Sequence, residues 1–284
     1  MEKVHILLPV HNRKDVTRRF IECLKDQTYN NYHLILIDDG STDGTEEMVR
    51  EQIQSLTVIK GRGNWWWAGS LQQGYLWLKS QKISLSDIVL IINDDTEFEK
   101  DFIDAGVSAM RRNENALLLA SSYSKQTGQL IDSGIHIDWG RFRFEQAYTS
   151  EHINCLSTRG LFLRVTDFYK TGGFYPRLLP HYASDYEFTI RAYRKGIKLV
   201  TDPMLKLRAD EQKTGYHLTK EQISYETVKN IFSLKSTGNP LYGTVFIALS
   251  CPWRWKIVNF VRVWSWPLYG LYLMLWKLSK GRSQ

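Results

Sequence analysis

Residues 89–98 read VLIINDDTEF, and the reading of this stretch decides the fold. Val89, Leu90, Ile91 and Ile92 form a continuous apolar run rich in β-branched side chains. Such a run predicts a strand buried on both faces of a sheet. Asn93, Asp94 and Asp95 follow at its carboxyl end, the edge of an open α/β sheet where ligands bind. Two adjacent carboxylates repel each other and are costly to desolvate, so their placement points to a positive group between them and a ligand. A divalent cation carrying a diphosphate fits, because hard cations take carboxylate oxygens and share their other positions with phosphate. The competing reading is a strand end capped by turn-forming Asn and Asp.

Outward from this strand, the first 125 residues alternate strand and helix signals. Strands are predicted at Val4–Val10, His33–Ile37, Leu56–Lys60, Asp87–Ile92 and Ala116–Ser121. Helices are predicted at Lys14–Asp26, from the capping-box spacing at Asp43–Glu46 to about Ile53, at Trp66–Lys79 and at Lys100–Arg112. This rhythm implies an α/β fold with a mostly parallel sheet and helices on both faces. From about 128 to 163 short alternating runs suggest antiparallel ribbons at one sheet edge. A helix over Ser184–Lys195, ended by Gly196, and a short strand over Lys198–Thr201 follow. Beyond about 216 the chain reads as a separate helical region, which divides it into 1–215 and 216–284.

The three cysteines, Cys23, Cys155 and Cys251, are scattered without CxxC spacing, which predicts a reducing compartment and no structural zinc. The strand-like run begins at Val4, leaving no room for a signal peptide. Net charge is +7, but residues 251–284 carry six basic side chains and no acidic one. Without them the balance is 31 basic against 30 acidic. A nearly neutral body lacks the electrostatic footprint of a nucleic-acid binder.

Four segments belong together: LLPVHNR (7–13), LIDDGSTDGT (36–45), INDDTEF (92–98) and HYASDYEFTIRAYRKG (181–196). Their order and spacing resemble the family 2 glycosyltransferases, whose nucleotide-sugar-binding fold is called GT-A, over roughly residues 3–205. The glycine pattern of a dinucleotide-binding fingerprint is missing after the first strand, which argues against a dehydrogenase. The resemblance implies that Pro9, His11 and Asn12 contact the nucleotide, and that Asp39 accepts a hydrogen bond from the base N–H. An acceptor-only carboxylate suits a pyrimidine imide, so UDP- or dTDP-sugars lead. Gly63 and Asn64 fall where the family sets a Gly-Asn loop against the nucleotide. Of the triplet Trp65-Trp66-Trp67, one indole, assigned to Trp65, stacks on base or sugar while at least two enter the core. Asp95 matches the metal-binding position, with Asp94 beside it and Asn93 near the ribose or a metal-bound water; Mn2+ or Mg2+ is the implied cofactor. Arg159 and Gly160 lie in the loop under the donor sugar, with Arg159 toward phosphate.

Asp185 falls at the family's base position and Glu187 at its second acidic position; helix capping is the competing role for Asp185. The carboxylate would take the proton of an acceptor hydroxyl as it attacks the anomeric carbon, inverting configuration. The family's third metal ligand, a His shortly after the Pro of the following strand, is replaced here by Arg208-Ala209-Asp210 after Pro203. His217 or Asp210 is the candidate substitute, or neither takes its place.

Residues 251–284 also hold five of the ten Trp. Lys256, Asn259, Arg262 and Ser265 recur every three residues beside apolar Ile257, Val258, Phe260, Val261 and Trp264. Pro267 is expected to break the helix, and Leu268–Leu278 is too short to span a bilayer. The pattern predicts a helix lying in the membrane interface, with Lys and Arg toward anionic lipid. A true span over 257–276 is one rival. Packing on the catalytic domain or on a second subunit of a homo-oligomer is another. Together the features predict an inverting, metal-dependent glycosyltransferase acting on a glycan or lipid-linked glycan in cell-surface polysaccharide or lipopolysaccharide assembly, peripheral on the cytoplasmic face of the cell membrane. A sugar-1-phosphate nucleotidylyltransferase is the enzymatic alternative, although LLPVHNRKD lacks the glycines of its N-terminal loop. A catalytically decayed, membrane-docked interaction protein is the other.

Overall fold

The structure, a computed structural model, describes residues 1–210, 232–234 and 236–281. The predicted boundary at 215/216 and His217 both lie outside the described residues. Strand β1 (Val4–Val10) is buried along its whole length, as its apolar run requires. It pairs in parallel with β2 (Tyr32–Asp38) on one side and β4 (Ile88–Ile91) on the other, and β3 (Leu56–Lys60) pairs in parallel beyond β2. Helices α1 (Lys14–Lys25), α2 (Thr45–Gln52) and α3 (Trp66–Ser80) are the crossovers between these strands.

Side chains alternate faces along each strand. Val4, Ile6, Leu8 and Val10 join a core layer with Phe20 and Leu24 of α1 and with Ile103 and Val107 of α4 (Phe102–Arg112). Leu7, Ile35, Ile37, Val89 and Ile91 face the opposite layer with Leu71 and Leu78 of α3. Both faces of the sheet are therefore apolar, as the VLII run demanded.

The region after 128 departs from expectation. β7 (Leu130–Asp132) pairs with β6 (Ala116–Ser124), and β8 (Ile135–Asp138) pairs with β9 (Arg143–Gln146) as a separate two-stranded ribbon. But β10 (Leu161–Arg164), expected among the edge ribbons, lies antiparallel in the middle of the sheet between β4 and β6. All three of its apolar residues are fully buried, so a central position is what its side chains need. The strand predicted at Lys198–Thr201 is β11 (Lys198–Ala209), which continues past Pro203 through a register shift between Asp202 and Lys206. Its end pairs with β5 (Thr96–Glu97), just beyond Asp95, and closes the sheet. Helices α5 (Val165–Thr171) and α6 (Ser184–Arg194) cover the second layer.

The C-terminal region forms α7 (Pro240–Ser250) and α8 (Trp253–Gly281). Pro267 does not break α8, contrary to expectation. The ring removes one i to i−4 hydrogen bond, and the turns on either side carry the helix through. No described helix is long and apolar enough to cross a membrane.

The docking of α8 agrees with the alternative of packing on the rest of the chain. Its polar edge faces the protein: Asn259 is fully buried and donates to the Trp139 carbonyl (2.9 Å), and Arg262 donates to the Gly140 carbonyl (2.7 Å). Trp264 donates to Thr244 of α7 (2.9 Å). Trp253, Ile257, Val261 and Leu268, spaced along the opposite face, are 83%, 74%, 65% and 57% exposed.

Candidate active site

The carboxyl ends of β1, β2 and β4 open into a cavity of about 900 Å³. It is lined by Pro9, His11, Arg13, Asp39, Asn93, Asp94 and Asp95 on the strand side, and by Arg159, His181, Tyr182 and Asp185 opposite. The structure thus brings together eight of the residues singled out from the sequence. Asn12, Gly63, Asn64, Trp65 and Gly160 do not line it.

Each of the five has a local reason. Asn12 has φ 50°, and its side-chain oxygen accepts from the Thr42 amide (2.8 Å), so it clamps the turn after β2. Gly160 extends the ladder, donating to Ile91 and accepting from Ala120, both at 3.0 Å. Trp65 packs against Gly69 and the core layer. It is Trp66 and Trp67 that line the cavity, which moves the choice of indole away from Trp65, while Trp65 and Trp67 both pack against the core layer, as expected for two of the three. Trp67 donates to Thr158 (3.2 Å), and Trp66 tilts against His181 with centroids 5.5 Å apart.

Gly63 and Asn64 act through Asp39. Its Oδ1 accepts from the amides of Gly63 (2.8 Å) and Asn64 (3.2 Å), and its Oδ2 from those of Trp65 (2.7 Å) and Trp66 (3.3 Å). Four donors fill the roughly four acceptor directions of a carboxylate. Asp39 is therefore first the organiser of the loop before α3. The anchorage also holds Trp66 at φ 56°, a left-handed conformation costing a residue with a β-carbon about 1–2 kcal/mol. Asp38 is structural: its Oδ1 accepts from the Ser41 amide (2.8 Å).

Asp94 and Asp95 are both buried. Arg13, which the sequence reading did not single out, spans them, with Nη1 3.3 Å from Asp94 and Nη2 3.2 Å from Asp95. Thr17 donates to Asp94 (3.0 Å). Burial nevertheless raises the Asp94 carboxyl to about 6, against the lowering effect of Arg13. The Asp95 Oδ1 is buried with no hydrogen-bond partner among the described residues. Two carboxylates with an orphaned oxygen fit a divalent cation that takes its remaining ligands from water and phosphate. Among the described residues no third His, Cys, Asp or Glu joins them. Asp210 instead accepts from Gln126 (2.6 Å).

Across the cavity, Asp185 lies in the first turn of α6 and accepts from the Tyr186 amide (2.9 Å), so it partly serves the helix start as well. Burial raises its carboxyl to about 6, a value suited to taking a proton near neutrality. Glu187, expected as a second acidic site residue, is turned away. It forms a two-pronged pair with Arg191 (2.8 Å twice), which in turn donates to the carbonyls of Thr171 (2.6 Å) and Gly173 (2.8 Å). Arg159 lines the cavity with a buried Nε that has no partner among the described residues, a donor available to an anion.

Comparisons with known proteins agree with this geometry. A curated relative, an uncharacterised glycosyltransferase of Rickettsia felis, is 27% identical over 135 residues, which is 46% of this chain but 21% of that protein. The chain therefore spans only about a fifth of that relative's length. Among solved structures, S. aureus TarS superposes with a TM-score of 0.60 at 16% identity, covering 92% of this chain and 54% of that one. GalNAc-T7 with UDP, GalNAc and Mn2+ gives 0.61 at 14% identity, covering 88% and 52%. These likenesses establish the GT-A fold. The family model for glycosyl transferase family 2 matches residues 5–170, more than half of the chain, and the protein belongs to that family.

Proposed function

We propose that this chain is an inverting glycosyltransferase dependent on a divalent metal, Mn2+ or Mg2+, with Asp185 as base. The single observation that carries the reading is one cavity with Asp94 and Asp95 on its strand side and the raised carboxyl of Asp185 opposite. Asp185 takes the proton of an acceptor hydroxyl, and that oxygen attacks the anomeric carbon of the donor sugar. The bond from that carbon to the diphosphate breaks on the opposite side, so configuration inverts. Arg159 takes part of the charge arriving on the departing diphosphate. A cation held by Asp94 and Asp95 would supply the rest of that charge stabilisation. UDP- or dTDP-sugar is the proposed donor: Asp39 lies at the cavity wall with acceptor-only oxygens, which a base N–H would share with the loop amides. Structures of GalNAc-T7 with UDP and Mn2+, and of a Pyrobaculum mannosyltransferase with GDP-Man and Mn2+, support a nucleotide-sugar and a metal without choosing the base.

The proposed acceptor is a glycan, free or lipid-linked, met at a cytoplasmic membrane surface in cell-surface polysaccharide assembly. The exposed Trp253, Ile257 and Val261, in a segment with six cations and no acid, support an interfacial face on α8. The catalytic assignment is tested with Asp185→Asn: transfer should vanish while UDP affinity is kept. Full transfer by that variant would remove Asp185 from the role.

A further inference from the structure

The cavity is not uniform in charge. Arg13 and Arg159 are its only Lys or Arg lining residues among those described, and the wall beside the ribbon carries Asp132. At that end Phe144 of β9 stacks with Tyr186 of α6, ring centroids 6.0 Å apart and planes inclined by 24°. Phe144 also touches Phe142 and Phe246, yet remains 42% exposed and lines the cavity. Tyr186 follows Asp185 in the chain, so the stacked pair begins beside the carboxyl that would meet the acceptor. Asp132 is held in place by Ser157 (2.5 Å) and by the Gly134 amide (3.0 Å).

We propose that Phe144, Tyr186 and Asp132 form, beside Asp185, the acceptor subsite, and that it takes a neutral pyranose unit. The inference rests on the assignment of Asp185 as base. A pyranose ring presents one face of C–H bonds, which settles on a flat aromatic surface whose face is electron-rich. Its hydroxyl groups donate to the carboxylates of Asp132 and Asp185, which are acceptors only when ionised. The same carboxylates repel a uronate or a phosphate, so anionic acceptor units are disfavoured. At the donor end Arg13 and a cation on Asp94 and Asp95 would offset the carboxylates, which would favour the diphosphate there and the uncharged sugar at the ribbon end.

The test uses the full chain saturated with UDP and Mn2+, read by saturation-transfer NMR. The probes are methyl β-D-glucopyranoside, methyl β-D-galactopyranoside and methyl α-D-mannopyranoside, with methyl β-D-glucuronide as the anion. At least one neutral glycoside should bind. Phe144→Ala should weaken it about tenfold while UDP affinity holds, and Phe144→Trp, which keeps a flat face, should restore it. The glucuronide should bind more weakly, and Asp132→Asn should narrow that gap. Unchanged glycoside binding in Phe144→Ala, glucuronide binding equal to the neutral sugars, or no neutral binding in a sample that binds UDP would overturn the proposal. Failure of UDP itself to bind would bring down the transferase reading, and the subsite with it.

Discussion

The Arg13 guanidinium lies across the Asp94–Asp95 pair, 3.2 Å from Asp95 and 3.3 Å from Asp94, and is the cation that allows two buried carboxylates to sit side by side. Removing one partner of such a cluster leaves charge uncompensated. Arg13 is partly solvated, which reduces the effect. Arg13→Gln should therefore cost about 1–2 kcal/mol in EDTA, a fall of several degrees in Tm. Mn2+ should recover most of it. Equal melting of the two proteins in EDTA would show that the pair does not need Arg13.

Asp185 gives a stability prediction with a defined sign. Its carboxyl is raised from 3.8 to about 6 by burial. The folded protein thus holds this proton more tightly than the unfolded chain. The group costs nothing below about pH 4, and the penalty grows as pH rises through 6, reaching at most about 3 kcal/mol. Asp185→Asn should melt higher than wild type at pH 8, and the gain should disappear near pH 4. In the wild type, kcat/KM should climb with pH and level off above about 6. A flat profile through this window would contradict a titrating base.

Asp39 is expected to matter for the loop before it matters for the nucleotide. Asp39→Ala frees four amides and should cost about 2–4 kcal/mol. Asp39→Asn, which keeps one acceptor oxygen, should cost less. Both should lose UDP affinity, because the loop leading to Trp66 is no longer fixed. Denaturant titration beside nucleotide titration separates the two effects. UDP binding by Asp39→Ala at wild-type strength would mean that the loop has no bearing on the donor.

The helical extension should act at both of its faces. Trp253→Ser combined with Ile257→Ser should weaken co-flotation with phosphatidylglycerol vesicles about tenfold or more, with donor binding unchanged. Neutral phosphatidylcholine vesicles should bind poorly even the wild type. On the inner face, Asn259→Ala and Arg262→Ala release the ribbon at Trp139 and Gly140, so glycoside binding should fall while UDP affinity stays. No flotation of the wild type on either lipid would argue that the apolar face covers a second copy of the chain instead.

The strand-and-helix rhythm up to residue 112 was legible because each buried strand is a local run of apolar residues and each helix a local period. Strand β10 was less so: LFLR is short, and its antiparallel place between β4 and β6 depends on partners some 40–75 residues away in sequence. The carboxylates of the site were legible for the same reason as the strands, because Asp94, Asp95 and Asp185 each follow a recognisable element boundary. What faces them was not. Arg13 reaches Asp95 across 82 positions, and the partners of Asp39 are amides of any residue type, which leave no mark in composition. Which edge of α8 docks was not legible, because a helix with cations on one edge and apolar residues on the other can dock by either. Its contacts are hydrogen bonds to the backbone carbonyls of Trp139 and Gly140, which the periodicity of α8 does not register.

The most direct test is calorimetric titration of the folded chain with UDP, dTDP and GDP, first with Mn2+ and then with EDTA, on wild type and Asp95→Ala. The account predicts that a pyrimidine diphosphate binds in Mn2+, and that EDTA and Asp95→Ala each abolish the binding. Binding that is indifferent to EDTA and to Asp95→Ala, or no binding of any of the three, would contradict it.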